Sequence, residues 1–386
     1  MKRLICVCLL LLLCACTTTT PASSNEASAS SEPGEVATVP PVGANEMVSD
    51  CLLLDDGRVV YLLQTTAGLI RQGKQRLLLW DPETGAALAD AVVECARPAL
   101  SRWKEGVCLT GFVEEYATDG SGRITKKAPL LIAYDADLKE AVRPDLSTLA
   151  TDYTAATFQD VRALCMDHAG ERLAWYAIGK GVCLADRDNV VGADLILSPD
   201  GYEHINSVTA IGFSENGNVL YFLCKYVEGS SSLNGYGRVR LSDGDVTAAY
   251  AGRKQTESLI LGGDRLLTLD EADEESGQSR VVTVDEKATL TYQNRIESSC
   301  ALLSAHGQYV LSLADGQTQE GKPLMRASLY DAATGDFLHS WDREGENQDL
   351  HRLCLSVNER AGYALVCLID GGELVPWRLD LKEAAQ

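Results

Sequence analysis

From about Met47 onward the chain alternates short apolar runs with polar turns. Several of these runs alternate apolar and polar residues one by one, which is the period of a half-buried β-strand. No convincing stretch has the 3.6-residue period of an amphipathic helix. The pattern therefore predicts an all-β fold built from short strands joined by tight turns.

One stretch shows the repeating unit plainly. Two apolar runs flank Glu215-Asn216-Gly217, a hairpin turn whose glycine suits positive φ. The second run is apolar throughout, as expected of a strand that is buried on both faces, and two further runs follow. The four predicted strands, named A to D in chain order, are residues 208–213, 219–224, 238–241 and 246–250.

Two turn signals recur along the chain and interleave. A glycine-bearing turn precedes a β-prone run at Gly57, Gly106, Gly170, Gly217, Gly263, Gly307 and Gly362. An acidic turn follows an apolar run at Asp81, Asp135, Asp186, Asp243, Asp285, Asp331 and Asp380. The aspartates advance by about 50 residues per step, close to the length of a four-stranded propeller blade. We number the units one to seven, with the glycine in the A–B turn and the aspartate in the C–D turn.

The most specific motif lies in units one and six. Trp80-Asp81 followed by Thr84-Gly85 returns as Tyr330-Asp331 followed by Thr334-Gly335. This motif and the repeat resemble the broad class of WD40-like and quinoprotein-like β-propellers, over roughly residues 46–382. The resemblance implies four-stranded antiparallel blades packed radially. We expect seven blades, with six or eight as alternatives.

The chain departs from both propeller families in its details. Only unit one has Trp-Asp at the motif position, and the Gly-His pair of typical WD40 repeats is absent. Trp341 lies two residues after the place where quinoprotein-like repeats carry their docking Trp. The resemblance therefore predicts an architecture and no subfamily.

Unit seven provides three strands before the chain ends, at residues 353–357, 363–369 and 374–381. A closed ring needs a fourth strand. We expect the N-terminal segment 36–39, or the residues up to Val48, to supply it.

The N-terminus predicts export and lipid anchoring. Two cationic residues precede the apolar run 4–15, which is too short to span a bilayer and has the order of a secretory signal. Its end, Leu13-Cys14-Ala15-Cys16, resembles the lipobox of bacterial lipoproteins, with Cys14 in place of the usual Ala or Ser. The resemblance implies a signal peptide at 1–15 and acylation of Cys16. An ordinary signal peptide is the alternative.

The following residues predict how the anchored chain is organised. Residues 16–45 are rich in Thr, Ser, Pro and Glu and cannot form a core, so they predict a disordered tether. The β domain then covers 46–382, and 383–386 form a short tail. We expect the protein at the outer face of the cell membrane.

The charge of the chain restricts its partners. The formal net charge is −21 with pI near 4.6, and loss of Lys2 and Arg3 with the signal leaves about −23. Such acidity argues against nucleic acid and against anionic lipid surfaces. We expect contact with the membrane through the lipid anchor alone, and a monomer.

Nine cysteines remain after Cys16, an odd number with no C-x-x-C pair. Zinc sites and dense disulfide frameworks need closer, paired spacings, so we expect no metal site, no cofactor and mostly buried thiols that act as small hydrophobes. These cysteines are Cys51, Cys95, Cys108, Cys165, Cys183, Cys224, Cys300, Cys354 and Cys367.

The two ends of a predicted blade differ. The A–B and C–D turns lie at one end, whereas the B–C and D–A connections at the other end carry longer segments. Because loops on a rigid scaffold carry binding residues, we expect the B–C/D–A face to bind the partner. The predicted insertions, all between strands B and C, are residues 114–129, 227–237, 271–279 and 314–323.

Aromatic and cationic residues in the D–A connections are the candidates for this binding face. The bland alternative is that each is a solvated loop residue. The candidates are Tyr153, Tyr202, His204, Arg253, Lys254 and Arg295, with Glu203 between two of them.

Catalytic and ion-binding signals are poor. The chain has no G-x-S-x-G elbow, P-loop or H-E-x-x-H motif, so we expect no catalytic residue. His168 and His306 fall in predicted A–B turns, away from the expected binding face. The recurring acidic turns lack the spacing and closing Glu of a calcium loop, so we expect their aspartates to cap turns.

These observations favour a lipid-anchored scaffold that binds a protein or peptide at the cell envelope. Two alternatives remain open: an extracellular hydrolase acting on glycan or peptide at the channel mouth, and a carbohydrate or small-molecule sensor. An enzyme is the less favoured class.

Overall fold

A computed structural model of the protein describes residues 40–43, 45–65, 73–155, 159–198, 205–228, 231–252, 260–262, 264–273, 278–292, 302–318, 320–344, 353–370 and 373–382. The predicted signal peptide, Cys16 and the tether before residue 40 lie outside these ranges. Within them the helical elements are short 3-10 turns, among them Ser147–Leu149 and Val190–Gly192. No helix in the described residues is long and apolar enough to cross a bilayer. The all-β prediction is confirmed.

Units one and two share one eight-stranded antiparallel sheet. Its strands are β1 (Glu46–Leu53), β2 (Val59–Thr65), β3 (Gly73–Asp81), β4 (Ala86–Trp103), β5 (Gly106–Tyr116), β6 (Ile124–Tyr134), β7 (Glu140–Val142) and β8 (Thr151–Asp152).

The long strand β4 joins the two units without a loop. Its first half pairs with β3 as the D strand of unit one, and its second half pairs with β5 as the A strand of unit two. The change of partner coincides with a register shift between Ala96 and Ala99 and a positive φ of 52° at Arg97.

Units three to six form four separate four-stranded sheets, and unit seven has three strands within the described residues. Unit three contains β9 (Val161–Met166), β10 (Arg172–Ala177), β11 (Gly181–Asp186) and β12 (Asp194–Leu197). Unit four contains β13 (Ile205–Phe213), β14 (Val219–Glu228), β15 (Ser231–Arg240) and β16 (Asp245–Gly252). Unit five contains β17 (Ile260–Gly262), β18 (Arg265–Asp273), β19 (Gln278–Val284) and β20 (Leu290–Tyr292). Units six and seven contain β21 (Leu302–His306), β22 (Tyr309–Gln317), β23 (Pro323–Asp331), β24 (Phe337–Glu344), β25 (Cys354–Asn358), β26 (Tyr363–Asp370) and β27 (Glu373–Asp380).

The predicted aspartate caps are present in the C–D turns. Asp81 Oδ1 accepts a hydrogen bond from the Glu83 N–H at 2.9 Å, and Thr84 Oγ1 donates to Asp81 Oδ2 at 2.7 Å. In unit six Asp331 Oδ1 accepts from the N–H groups of Ala333 and Thr334, each at 2.8 Å. The recurring aspartate therefore stabilises a turn, as predicted.

Neighbouring sheets bury their faces against one another. Tyr176 of unit three and Phe213 of unit four lie in one buried cluster. Tyr221 of unit four and Leu266 of unit five share another. A lone four-stranded sheet would leave both faces in water, so each unit depends on its neighbours.

The predicted B–C insertions are β-hairpins rather than loops. In unit two Glu114 pairs with Lys127, and the ladder reaches Tyr116 opposite Ile124. In unit six it reaches Gln317 opposite Pro323. The same extension occurs in units four and five. The prediction of long loops is wrong because these polar residues continue the strand pairing.

The start of the β domain belongs to unit one. Met47 lies opposite Gln64 and Val48 opposite Leu63, so the residues up to Val48 pair with β2. The prediction that they complete unit seven is wrong. The other predicted donor, residues 36–39, lies outside the described residues.

Units one and seven nevertheless contact each other. The Leu53 N–H donates to Ser356 Oγ at 2.9 Å. Tyr61 and Leu365, both fully buried, lie in one cluster across this contact.

Candidate binding cavity at the A–B turns

Of the predicted binding residues, the structure describes Tyr153. The others lie outside the described residues: Tyr202, Glu203, His204, Arg253, Lys254 and Arg295. Their role at the B–C/D–A face stays a prediction.

Tyr153 is half-buried and serves an internal network. Its hydroxyl donates to Asp160 Oδ1 at 2.8 Å, and burial raises the pKa of Tyr153 to about 12. Asp160 also forms ion pairs with Lys127 and Arg162. The Lys127 ammonium donates to the Val161 carbonyl at 2.8 Å, so this buried network joins units two and three.

A cavity of about 700 Å³ opens at the opposite end of the units. Its lining comes from the A–B turns of units two, three, four and seven and from residues beside them. Lining side chains include Trp103, Lys104, His168, Arg172, Asn216 and Arg360. The predicted binding face lies at the other end, where the connecting segments are longer. The short turns of several units nevertheless enclose a volume together that no single turn reveals.

The turn of unit three is fixed by a carboxylate. Asp167 accepts hydrogen bonds from the N–H groups of Glu171 at 2.8 Å and Arg172 at 3.1 Å, and from Arg172 Nε at 2.8 Å. Burial opposes ionisation of Asp167, but these bonds outweigh it and lower its pKa. A general acid needs a raised pKa, so Asp167 does not suit that role.

Arg172 links this turn to the neighbouring unit four. Its Nη2 donates to the Gly217 carbonyl at 2.7 Å, and its guanidinium lies 5.5 Å from the centre of the Phe213 ring. The cavity wall is thus preorganised where units three and four meet.

The two turns nearest His168 hold each other in place. The backbone N–H of Lys104 donates to His168 Nδ1 at 3.2 Å, and the Lys104 ammonium lies 4.6 Å from the Trp103 ring centre. Trp103 is buried, and its Nε1 has no hydrogen-bond partner among the described residues. An apolar indole beside a charged rim can accept both apolar and polar groups of a ligand.

Asp55, in the A–B turn of unit one, collects contacts from three other units. Its carboxylate pairs with Arg360 at 2.7 Å and Arg102 at 3.4 Å and lies 3.8 Å from His306 Nε2. Arg360 Nη2 also approaches Glu215 Oε1 of unit four at 3.9 Å. The A–B turns therefore meet in one charged network.

Three thiols come together elsewhere, where units one and seven touch. The Sγ atoms of Cys51, Cys354 and Cys367 all lie within 4.8 Å of one another, and all three side chains are buried. Among the described residues this is the one group of His, Cys, Asp or Glu whose geometry could hold a metal ion. Sequence spacing gave no sign of it, because over 300 residues separate Cys51 from Cys354.

The surroundings shift the pKa values of two of these thiols in opposite directions. Burial raises the pKa of Cys354. Burial also opposes ionisation of Cys367, but hydrogen bonds involving Cys354, Cys51 and Tyr61 outweigh it and lower the pKa of Cys367.

Comparisons with known proteins identify the architecture. No protein-family model matches the chain, and no curated protein matches it. The β-propeller domain of Cps50 (Swd1) from Myceliophteria thermophila superposes with a TM-score of 0.50 at 14% identity, over 89% of this chain and 99% of that domain. The chain has a β-propeller fold.

A second solved structure superposes over a similar share of this chain. Raptor from Chaetomium thermophilum superposes with a TM-score of 0.52 at 10% identity, over 90% of this chain and 29% of Raptor. The chain thus spans less than a third of Raptor. At these identities the likeness concerns the fold alone.

Proposed function

We propose that the protein is a lipid-anchored, extracytoplasmic, seven-bladed β-propeller that binds a protein or peptide partner as a scaffold at the cell envelope. The observation that carries the binding role is the cavity whose lining comes from the A–B turns of four units. The lipobox-like Leu13-Cys14-Ala15-Cys16 supports anchoring at Cys16.

The repeat and the contact between units one and seven support the proposal of seven blades. When β4 is divided between units one and two, unit one and units three to six have four strands each. Unit two has a fifth short strand, β8, which pairs with β6, and unit seven has three strands within the described residues. Residues 36–39 would supply the missing strand along β27. Deleting 17–39 should then lower the free energy of unfolding, whereas deleting 17–35 should leave it unchanged. Equal stability of the two variants would contradict this closure.

The rim of the cavity suits a peptide or protein surface. Lys104, Glu105, Glu215 and Arg360 are exposed, and both charge signs are present. Mixed charges around a buried aromatic side chain favour a specific orientation of a polar partner.

Affinity capture of neighbours by the mature, membrane-tethered protein tests the scaffold role. Lys104→Glu with Glu105→Lys should remove the specific partner if it binds at the cavity. Lys322→Glu, at the end of a B–C hairpin, is the control. Loss of capture through Tyr202→Ala and Arg253→Ala instead would assign the partner to the predicted B–C/D–A face. If neither pair of substitutions changed partner capture, binding at the cavity and binding at the B–C/D–A face would both be contradicted.

Anchoring has a separate test. Cys16→Ser should release the protein from the membrane fraction and abolish lipid attachment measured by mass spectrometry. Retention on the membrane would contradict the lipobox interpretation.

Small-molecule sensing is the second candidate. A cavity of about 700 Å³ lies within the range of small-ligand sites, roughly 300–1,000 Å³. A rise in melting temperature with a defined oligosaccharide or metabolite, abolished by Lys104→Glu with Glu105→Lys, would favour it over the scaffold.

A further inference from the structure

The thiols of Cys51, Cys354 and Cys367 converge although they belong to different parts of the chain. Cys51 lies in β1 of unit one, and Cys354 and Cys367 are directly paired residues of β25 and β26 in unit seven. All three Sγ atoms lie within 4.8 Å of one another, and no side chain of the three is more than 6% exposed.

We propose that these three cysteines bind a zinc ion at the contact between units one and seven. A zinc–sulfur bond of about 2.3 Å places sulfurs of a tetrahedral site about 3.8 Å apart. The observed cluster reaches that spacing through small side-chain movements. Tyr61 Oη lies 3.6 Å from Cys367 Sγ and is an oxygen donor that can complete four ligands.

The chemistry of the ligands selects the ion. Thiolates prefer soft or borderline metals, whereas calcium and magnesium require oxygen ligands. Three thiolates with Zn²⁺ leave one net negative charge, and with Cu⁺ they would leave two. A buried site tolerates the smaller charge better, so zinc is the preferred occupant.

Binding is balanced by proton release. Each of the three thiols loses its proton to solvent as its sulfur bonds to zinc, and the Tyr61 phenol keeps its proton. No oxidant or reductant takes part. The product is one zinc tristhiolate with a phenol oxygen as its fourth ligand.

The position of the site gives it a structural consequence. Its ligands lie on both sides of the contact between the first and last units, so an unfolded chain cannot present them together. Zinc then stabilises the folded state by mass action. At a free zinc concentration 100 times the dissociation constant, the unfolding equilibrium constant should fall about 100-fold.

The test uses the full mature chain refolded under reducing conditions with Zn²⁺ alone. Native mass spectrometry should show one zinc per chain. Co²⁺ in its place should give the sulfur-to-metal charge-transfer absorption of thiolate ligation. Brief alkylation of the native zinc-loaded protein, in moderate denaturant, should spare Cys51, Cys354 and Cys367 relative to the metal-free protein.

Variants complete the test. Cys51→Ser and Cys367→Ser should each lose the zinc-dependent rise in melting temperature. Cys108→Ser removes another buried thiol and should keep it. Because alkylation mapping uses the wild-type chain, the result stands even if a variant fails to fold. Absence of stoichiometric zinc, protection of other cysteines, or a disulfide among these three would overturn the proposal.

Discussion

Asn358 Nδ2 in unit seven donates a 2.9 Å hydrogen bond to Oδ1 of Asp55 in unit one, although 303 residues separate them. The same amide donates to the Leu53 carbonyl at 2.9 Å. One side chain of the last unit thus satisfies two acceptors of the first. The two ends of the β domain are joined by polar contacts as well as by apolar packing.

Asp55→Asn should destabilise the protein. Asp55 is only 22% exposed and pairs with Arg360 and Arg102, so neutralising it leaves the partly buried Arg102 without its carboxylate and removes the nearest carboxylate from the exposed Arg360. We expect the free energy of unfolding in urea to fall by about 1–3 kcal/mol.

Asp137→Asn is the control for this loss. Asp137 pairs with Arg58 but is 58% exposed, so solvent screens the pair and its loss should change stability much less than the loss of Asp55. An equal loss in both variants would contradict the importance of the Asp55 network.

His306 should make stability depend on pH. Burial and the nearby cations Arg102 and Arg360 lower the pKa of His306 to about 4, against the opposing charge of Asp55. Unfolded histidine titrates near 6.5, so between pH 6.5 and 4 the unfolded state binds more protons. Stability is therefore fully present above about pH 6.5 and falls by up to about 3 kcal/mol as the pH drops to 4.

Urea unfolding across this pH range measures the effect. His306→Gln should flatten the dependence between pH 6.5 and 4. Asp55 acts in a lower window, because its pKa is lowered and its contribution is lost only as the pH falls below about 3.9. An unchanged slope in His306→Gln would refute the assignment.

Gly106→Ala should be strongly destabilising. A Cβ at Gly106 would lie 2.1 Å from the Tyr134 carbonyl oxygen, which belongs to the paired backbone of β6 and cannot move away cheaply. We expect a loss of more than about 2 kcal/mol in thermal or urea unfolding. Gly316→Ala is the matched strand control, since its nearest contact would be 3.9 Å away. Similar losses would show that the approach is relieved by backbone movement.

Tyr153→Phe separates a structural role from a binding role. Removing the hydroxyl takes one donor from buried Asp160, so stability should fall by about 1 kcal/mol while partner capture is retained. Asp160→Asn should cost about 3–5 kcal/mol, because it leaves Lys127 buried without its carboxylate. If Tyr153→Phe instead lost partner capture at unchanged stability, Tyr153 would belong to the binding face.

Local signals predicted the strands and turns well. The run at 219–224 is apolar, and the preceding turn Glu215-Asn216-Gly217 carries a glycine. The structure has β14 at this run and a hairpin at this turn. The capping by Asp81 and Asp331 was equally readable, because the bonds reach only two or three residues along the chain.

The prediction that the B–C segments are loops failed because it relied on their composition. Their polar composition resembles that of loops, but residues such as Glu114 and Lys127 continue the strand pairing. In a two-stranded hairpin the strands hydrogen-bond through the backbone, so polar side chains suit a hairpin as well as a loop. Composition therefore does not distinguish the two.

By itself, the sequence determined the all-β class, the strand order within each unit and the turns, because these depend on contacts between residues close in the chain. The tertiary structure alone decided that A–B turns of four units enclose a cavity, that Asp55 meets Arg360, and that Cys51 meets Cys354 and Cys367. These contacts join residues far apart in the chain, and spacing carries no record of which distant strands become neighbours when the sheets pack.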